Sequence, residues 1–320
     1  MLLEVENLEV SFDTPDGVVQ AVRGVSFAVD AGKTFAIVGE SGSGKSVTAQ
    51  TILGLTDRAR IRGHAVFDGR DLLTTSEREL RTLRGAQIAM VFQNPHSSLH
   101  PQMRVGAQIA EVIRIHTLAT RADVNAKAVA LLNRVGIRDA ERRADDYPHE
   151  FSGGMLQRAM IAMAIALSPK LLIADEPTTA LDVTVQAQII ALLRELQRET
   201  GMALVLITHD LGVVAEIADD VMVMYAGRAL ECASRRALFY ETHHPYTRGL
   251  MASLPRADRT AARLTPIRGQ PPNLIVPPPG CPFHPRCDSA QARCHDEQPL
   301  VTIGNDSAHR SACWLPTGPR

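Results

Sequence analysis

Leu3 and Val5, then Val25, Phe27 and Val29, alternate with polar neighbours, and Pro15-Asp16-Gly17 lies between the two runs as a turn. A period of two around a turn predicts a small antiparallel sheet over residues 3–30. Thr34 to Val38 is a short apolar run ending at Gly39, which predicts a buried strand. A helix is expected from Lys45 to Leu53. Residues 61–93 suggest further short strands around Asp68-Gly69 and one from Ile88 to Phe92. From Val105 to Arg143 the pattern is helical and arginine-rich. Another helix is expected from Met155 to Leu167, followed by a buried strand from Leu171 to Ala174. Val185, Ile189, Leu192 and Leu196 fall on one helical face, closed by Gly201. Strands at 203–207 and 221–225 flank a short helix. Apolar strands alternating with helices predict a mainly parallel sheet covered on both faces.

After Leu254 the pattern stops. Pro255, Pro266, Pro271, Pro272, Pro277, Pro278 and Pro279 predict an extended segment rather than a packed one, leading into a short cysteine-bearing tail. The chain of 320 residues exceeds what one hydrophobic core usually serves, so a main domain with smaller attachments is expected. Its 34 Lys plus Arg against 35 Asp plus Glu leave a net charge of −1, which argues against a broad basic face for nucleic acid. The most apolar stretch, 159–169, is far short of the ~20 residues that cross a bilayer. The first six residues lack the basic and apolar regions of a secretory signal, so the expected location is the cytoplasm.

Two segments carry chemistry. Gly39-Glu40-Ser41-Gly42-Ser43-Gly44-Lys45-Ser46 fits the phosphate-binding loop G-x-x-x-x-G-K-[ST], placed between a predicted strand and helix. Glycines let successive backbone N–H groups curl around phosphate oxygens at the positive end of a helix. Lys45 would neutralise the β and γ phosphates and Ser46 would ligate Mg2+. Leu171-Leu172-Ile173-Ala174-Asp175-Glu176-Pro177 delivers two carboxylates at the end of an apolar strand, where open α/β sheets bind ligands. Asp175 is placed to hold Mg2+, and Glu176 to deprotonate a water for in-line attack on the γ phosphate. Ser152-Gly153-Gly154 before a helix is a second anion nest, or simply a cap.

The stretch Phe151-Ser152-Gly153-Gly154-Met155-Leu156-Gln157-Arg158 resembles the signature motif of ATP-binding cassette (ABC) ATPases, and the resemblance extends over about residues 1–254. It implies an α/β fold: a P-loop (RecA-like) core with an antiparallel β subdomain, a helical subdomain over about 94–160, and a C-terminal cysteine-bearing extension over 255–320. It implies that Gly39, Ser41, Gly42, Ser43, Gly44, Lys45, Ser46 and Val47 bind ATP, that Gln93 in Phe92-Gln93-Asn94-Pro95 senses Mg2+, and that His209 contacts the γ phosphate. Phe12 would stack on adenine, where the family has Tyr or Trp, and Asp182 in Ala180-Leu181-Asp182 would lie at the dimer interface. The usual signature begins with Leu and ends with Gln, where this chain has Phe151 and Met155; the Ser-Gly-Gly centre is intact. In the family two such domains meet head to tail, each ATP lying between the phosphate loop of one and the signature of the other.

Four of the five cysteines lie in the last forty residues: Cys281, Cys287, Cys294 and Cys313, with gaps of five, six and eighteen residues. That spacing argues against an ordinary zinc ribbon, while four thiolates could hold an iron–sulfur cluster; zinc and unligated thiols stay open. Cys232 stands alone and reads as a small buried residue. The tail, the Gly-Gly-Met form of the signature and His244-Pro245-Tyr246-Thr247 with Leu250 resemble the oligopeptide/dipeptide importer branch, some members of which carry a four-iron four-sulfur cluster (4Fe-4S) at matching cysteines. The resemblance implies ATP and Mg2+ as cofactors and a second, different ABC ATPase subunit as partner. It also implies two transmembrane permease subunits, an extracytoplasmic substrate-binding protein, and a peripheral place on the cytoplasmic face of the inner membrane. Nickel, glutathione or another solute remains open as cargo. A soluble ABC ATPase of DNA repair or translation ranks lower, since the chain has one cassette and no basic excess.

Overall fold

Leu3, Val5, Leu8 and Val10 are all buried although the step from Val5 to Leu8 breaks the period of two. The computed structural model, which describes residues 1–179, 181–253 and 267–316, resolves the mismatch. The strand β1 (Leu3–Thr14) shifts register between Val5 and Leu8, with Asn7 turned to φ 46°, so the extra residue is absorbed and Leu8 faces inward again. Along the chain follow β2 (Gly17–Val29), β3 (Thr34–Val38), α1 (Lys45–Ile52), β4 (Ala59–Phe67), β5 (Arg70–Asp71), α2 (Glu77–Leu83) and β6 (Ile88–Val91). Next come α3 (Pro95–Ser98), α4 (Val105–His116), α5 (Arg121–Arg134), α6 (Ala140–Arg143), α7 (Gly153–Ala164), β7 (Leu171–Asp175) and α8 (Val183–Thr200). The last group is β8 (Ala203–Thr208), α9 (Leu211–Ile217), β9 (Asp220–Tyr225), β10 (Arg228–Ser234), α10 (Arg235–Tyr240), α11 (Pro245–Ala252), β11 (Val301–Ile303) and β12 (Asp306–Ser311).

The chain divides into two units. The first holds residues 1–29, 34–74 and 207–320. Within it, β2-β1-β4-β5 form an antiparallel sheet, as the alternation predicts. A second set of strands runs β11-β12-β10-β9-β3. There β3 and β9 pair in parallel and are apolar almost throughout, whereas β10, β12 and β11 add an antiparallel edge. The second unit holds residues 30–33 and 75–206. Its strands β6 and β7 are parallel, and its helices α4, α5 and α7 pack on one another.

One expectation is made finer and two need correction. The helical stretch from Val105 to Arg143 is three helices: Thr120 accepts the Asp123 N–H to start α5 afresh, and α6 follows a break at 135–139. Residues 77–83, read as part of a strand region, form α2, started by a capping box in which Ser76 and Glu79 bond reciprocally. The proline-rich segment is indeed without helix or strand over 267–283, but it is packed. Ile267, Leu274, Cys281 and Phe283 lie against a core containing Tyr225, Leu238 and Tyr246, and Gln20 donates its N–H to the Leu274 carbonyl. Pro255 and Pro266 lie outside the described residues.

Candidate functional site

The phosphate loop leaves the end of β3 and enters α1 at Gly44, which has φ 100°. A Cβ there would stand 2.3 Å from the Ala21 carbonyl oxygen, so only glycine fits. No side chain caps α1, which leaves its positive end open to an anion. Lys45 is 5% exposed, and its ammonium donates to the carbonyls of Gly39 and Glu40 at 2.8 and 2.9 Å and approaches Ser43 Oγ at 3.5 Å. A buried cation wrapped by its own loop is held where phosphate oxygens can replace those carbonyls. Ser41 and Gly42 are exposed, and Ser46 and Val47 are half-buried on the first turn of α1.

Also in the first unit, Phe12 is half-buried on β1 opposite Val19 and Ala59. His209 is exposed just beyond β8, followed by Asp210, whose Oδ1 accepts the Gly212 N–H at 2.7 Å to start α9.

In the second unit β7 carries Asp175, 3% exposed, to its end. Glu176 follows with φ 47°, a left-handed conformation that costs a non-glycine residue about 1–2 kcal/mol. The turn aims its carboxylate, and Oε2 accepts the Gln93 amide at 3.1 Å and the Thr179 hydroxyl at 2.8 Å. Gln93 and Glu176, 83 positions apart and both predicted site residues, are thus in direct contact. Thr179, which sequence reasoning missed, supplies the second bond; its only signal is a hydroxyl three residues after the carboxylate. Ser152 caps α7 by accepting the Met155 N–H, with Ser152 and Gly153 exposed and Gly154 half-buried. Asp182 caps α8 by accepting the Val185 N–H at 3.0 Å. Ala180, beside it, lies outside the described residues.

The four tail cysteines, Cys281, Cys287, Cys294 and Cys313, line one cavity together with His244, Gln291 and Trp314. None is in a disulfide. Burial pushes the Cys281 thiol up to about 11 and raises those of Cys287 and Cys313. Among the described residues no group of three or more His, Cys, Asp or Glu side chains is set to hold a metal ion. Soft donors converging on one cavity still match the chemistry of an iron–sulfur or zinc site, whose charge would favour the thiolates that burial disfavours. Cys232 is buried in β10, its thiol pushed up to about 12 by desolvation, as expected of a packing residue.

Among the described residues no helix is long and apolar enough to cross a membrane.

The chain matches two family models: ABC transporter over residues 22–179, and the C-terminal region of oligopeptide/dipeptide transporters over residues 230–294. It is 51% identical to the dipeptide transport ATP-binding protein DppD of Bacillus subtilis, over 98% of this chain and 94% of that protein. It is 54% identical to the oligopeptide transport ATP-binding protein OppD of Salmonella typhimurium, over 99% and 94% respectively. Among solved structures it resembles the ATP-binding cassette MJ0796 in a dimeric post-hydrolysis state with ADP and Pi. The TM-score is 0.67 and the identity 26%, covering 73% of this chain and 99% of that one. These likenesses run through the phosphate loop, the paired carboxylates and the cysteine tail alike, and the chain belongs to the ABC transporter ATP-binding proteins of the oligopeptide/dipeptide branch.

Proposed function

We propose that this chain binds and hydrolyses ATP to energise the import of di- or oligopeptides through an ABC transporter. The observation that carries the reading is the buried Lys45 ammonium, folded onto the carbonyls of its own phosphate loop. Gly39, Ser41 to Gly44, Lys45, Ser46 and Val47 cradle the phosphates, and Phe12 stacks on adenine. Ser46, Gln93 and Asp175 serve Mg2+; Glu176 is the base and His209 the γ-phosphate contact. Ser152, Gly153, Gly154 and Asp182 act on the nucleotide held by a second ATPase subunit, which in this reading is a different chain. Two permease subunits and an extracytoplasmic binding protein complete the complex, with this subunit peripheral on the cytoplasmic face of the inner membrane. Residues 1–254 are taken as the ATPase domain, its helical subdomain over about 94–160, and residues 255–320 as linker and cysteine extension. The names of the relatives support peptides as cargo. Lys45→Ala should bind Mg-ATP at least ~100-fold more weakly in a fluorescence titration, since charge and donors to the phosphates vanish together. Near-normal affinity would remove the basis of this reading.

A second element is a four-iron four-sulfur cluster on Cys281, Cys287, Cys294 and Cys313, supported by their convergence on one cavity. When bound, such a cluster supplies a covalent cross-link of the tail or an electron-accepting centre. Protein purified without oxygen should absorb broadly near ~400 nm and contain iron. Colourless, iron-free protein that is folded and hydrolyses ATP would exclude it.

A further inference from the structure

Glu40, the second residue of the phosphate loop, has no part in the chemistry assigned above, yet both its backbone and its side chain are tethered to the rest of the first unit. Its backbone N–H donates to the Tyr246 hydroxyl at 2.9 Å. Its carboxylate is gripped by the Arg286 guanidinium in a two-bond fork, 2.6 Å to Oε2 and 3.1 Å to Oε1. Arg286 comes from the tail, immediately before Cys287, and its side chain is 6% exposed. Its remaining donors are spent on positioning: Nε to the Arg268 carbonyl at 2.8 Å, the same nitrogen that meets Oε2 to the Tyr225 hydroxyl at 3.1 Å, and the other to Gly269 at 3.3 Å. The guanidinium also lies over the Tyr225 and Phe283 rings at 5.7 and 5.9 Å. Tyr225, Tyr246 and Phe283 pack on one another with centroids 4.6 to 5.4 Å apart. Strand β9, helix α11 and the tail therefore each contribute one ring to a clasp that closes on a single loop residue.

We propose that Arg286 is a positioning residue for the nucleotide site, holding Glu40 and with it the entrance of the phosphate loop, so that the cysteine-bearing tail is part of the apparatus that binds ATP. The inference rests on reading Gly39 to Val47 as the ATP site. Its physical basis is the division of labour in the loop. Lys45 now ties the carbonyls of Gly39 and Glu40, but an ammonium has three donors, and phosphate draws them away. The loop must then be held in shape by something other than Lys45. A planar fork with every donor committed fixes Glu40 in position and orientation, which a single point charge does not. The Glu40 anion would also repel phosphate if it swung inward; paired to Arg286, it is kept neutralised and turned away.

The test compares Arg286→Ala, Arg286→Lys, Glu40→Gln and the pair Arg286→Ala/Glu40→Gln in the full chain. Mg-ATP affinity is read by titrating a fluorescent ATP analogue, and loop order by hydrogen exchange over residues 39–46. Each single change should weaken affinity about tenfold and speed exchange in the loop. Arg286→Lys should lose nearly as much as alanine because it cannot form the fork. The double variant should be no weaker than the worse single, since both remove one interaction. Affinities within twofold of the parent for all single variants, or losses that multiply in the double, would overturn the proposal. Should Arg286→Ala fail to fold, Arg286→Lys and Glu40→Gln carry the same comparison. Lys45→Ala is the control: intact binding there sinks the ATP-site reading, whereas lost binding there with unaltered Arg286 and Glu40 variants sinks this inference alone.

Discussion

At the scale of the residue, Glu176 concentrates the argument. Its left-handed backbone and the side-chain donors Gln93 and Thr179 hold the carboxylate on a fixed heading, from which, in the proposed reading, it takes the proton of the attacking water. Replacement by glutamine keeps the shape and an acceptor oxygen but removes the basicity. Glu176→Gln should therefore retain ATP, binding it as tightly as the parent or more so, while turnover falls ~100- to 10,000-fold, the usual share of a general base. Phosphate release by the transporter complex, beside retention of labelled ATP, reads both quantities. Turnover near the parent level would assign the base elsewhere. Arg286 belongs to the same scale. Sequence reasoning passed over it because nothing local in Pro285-Arg286-Cys287 points to a loop 246 positions away.

At the scale of the element, legibility followed the range of the forces involved. Strands β3, β7 and β9 were readable because burial on both sides writes an unbroken apolar run. Helix α8 was readable from its stripe of Ile189, Leu192 and Leu196 and from Gly201, left-handed at φ 69°, as its stop. The phosphate loop and the carboxylate strand were legible because their chemistry demands contiguous residues. Helix α2 was missed although Ser76 and Glu79 spell a capping box; its short span shows only Leu80 and Leu83 buried, too few for a helical period to stand out. The tail was misread for a different reason. Proline removes a backbone donor and so disfavours helix and strand interiors, but it does not forbid packing, and the partners against which Leu274 and Phe283 pack lie far away in sequence. The bond Thr179 donates to Glu176 and the role of Tyr246 as acceptor of the Glu40 N–H escaped likewise, since a hydrogen bond's value depends on a fold-level meeting that no local pattern records.

At the scale of the whole chain, the tail's return onto β10 is a stabilising closure with a titratable centre. Glu231, in β10, is fully buried. Its carboxylate accepts the His309 ring Nε2 at 2.8 Å from β12 and the backbone N–H groups of His243 and His244, at 2.7 and 3.0 Å, ahead of α11. Burial alone would push this carboxyl up, but the hydrogen bonds outweigh it and hold the group below its ordinary 4.5. As the pH falls below that ordinary value, the unfolded chain takes up a proton that the folded chain still refuses. Stability contributed by Glu231 is thus complete well above pH 4.5 and drains away as acid carries the pH down through the folded value. Glu231→Gln should lower the unfolding free energy at neutral pH by about 3 kcal/mol, because donors are left facing an uncharged and poorer acceptor. It should also flatten the acid limb of the stability profile. Urea unfolding of parent and variant between pH 7 and pH 4 separates the two effects. Parallel acid limbs would mean that the sensitivity belongs to other carboxylates, and a neutral-pH loss below ~1 kcal/mol would mean that the tail closes on β10 through its apolar contacts alone.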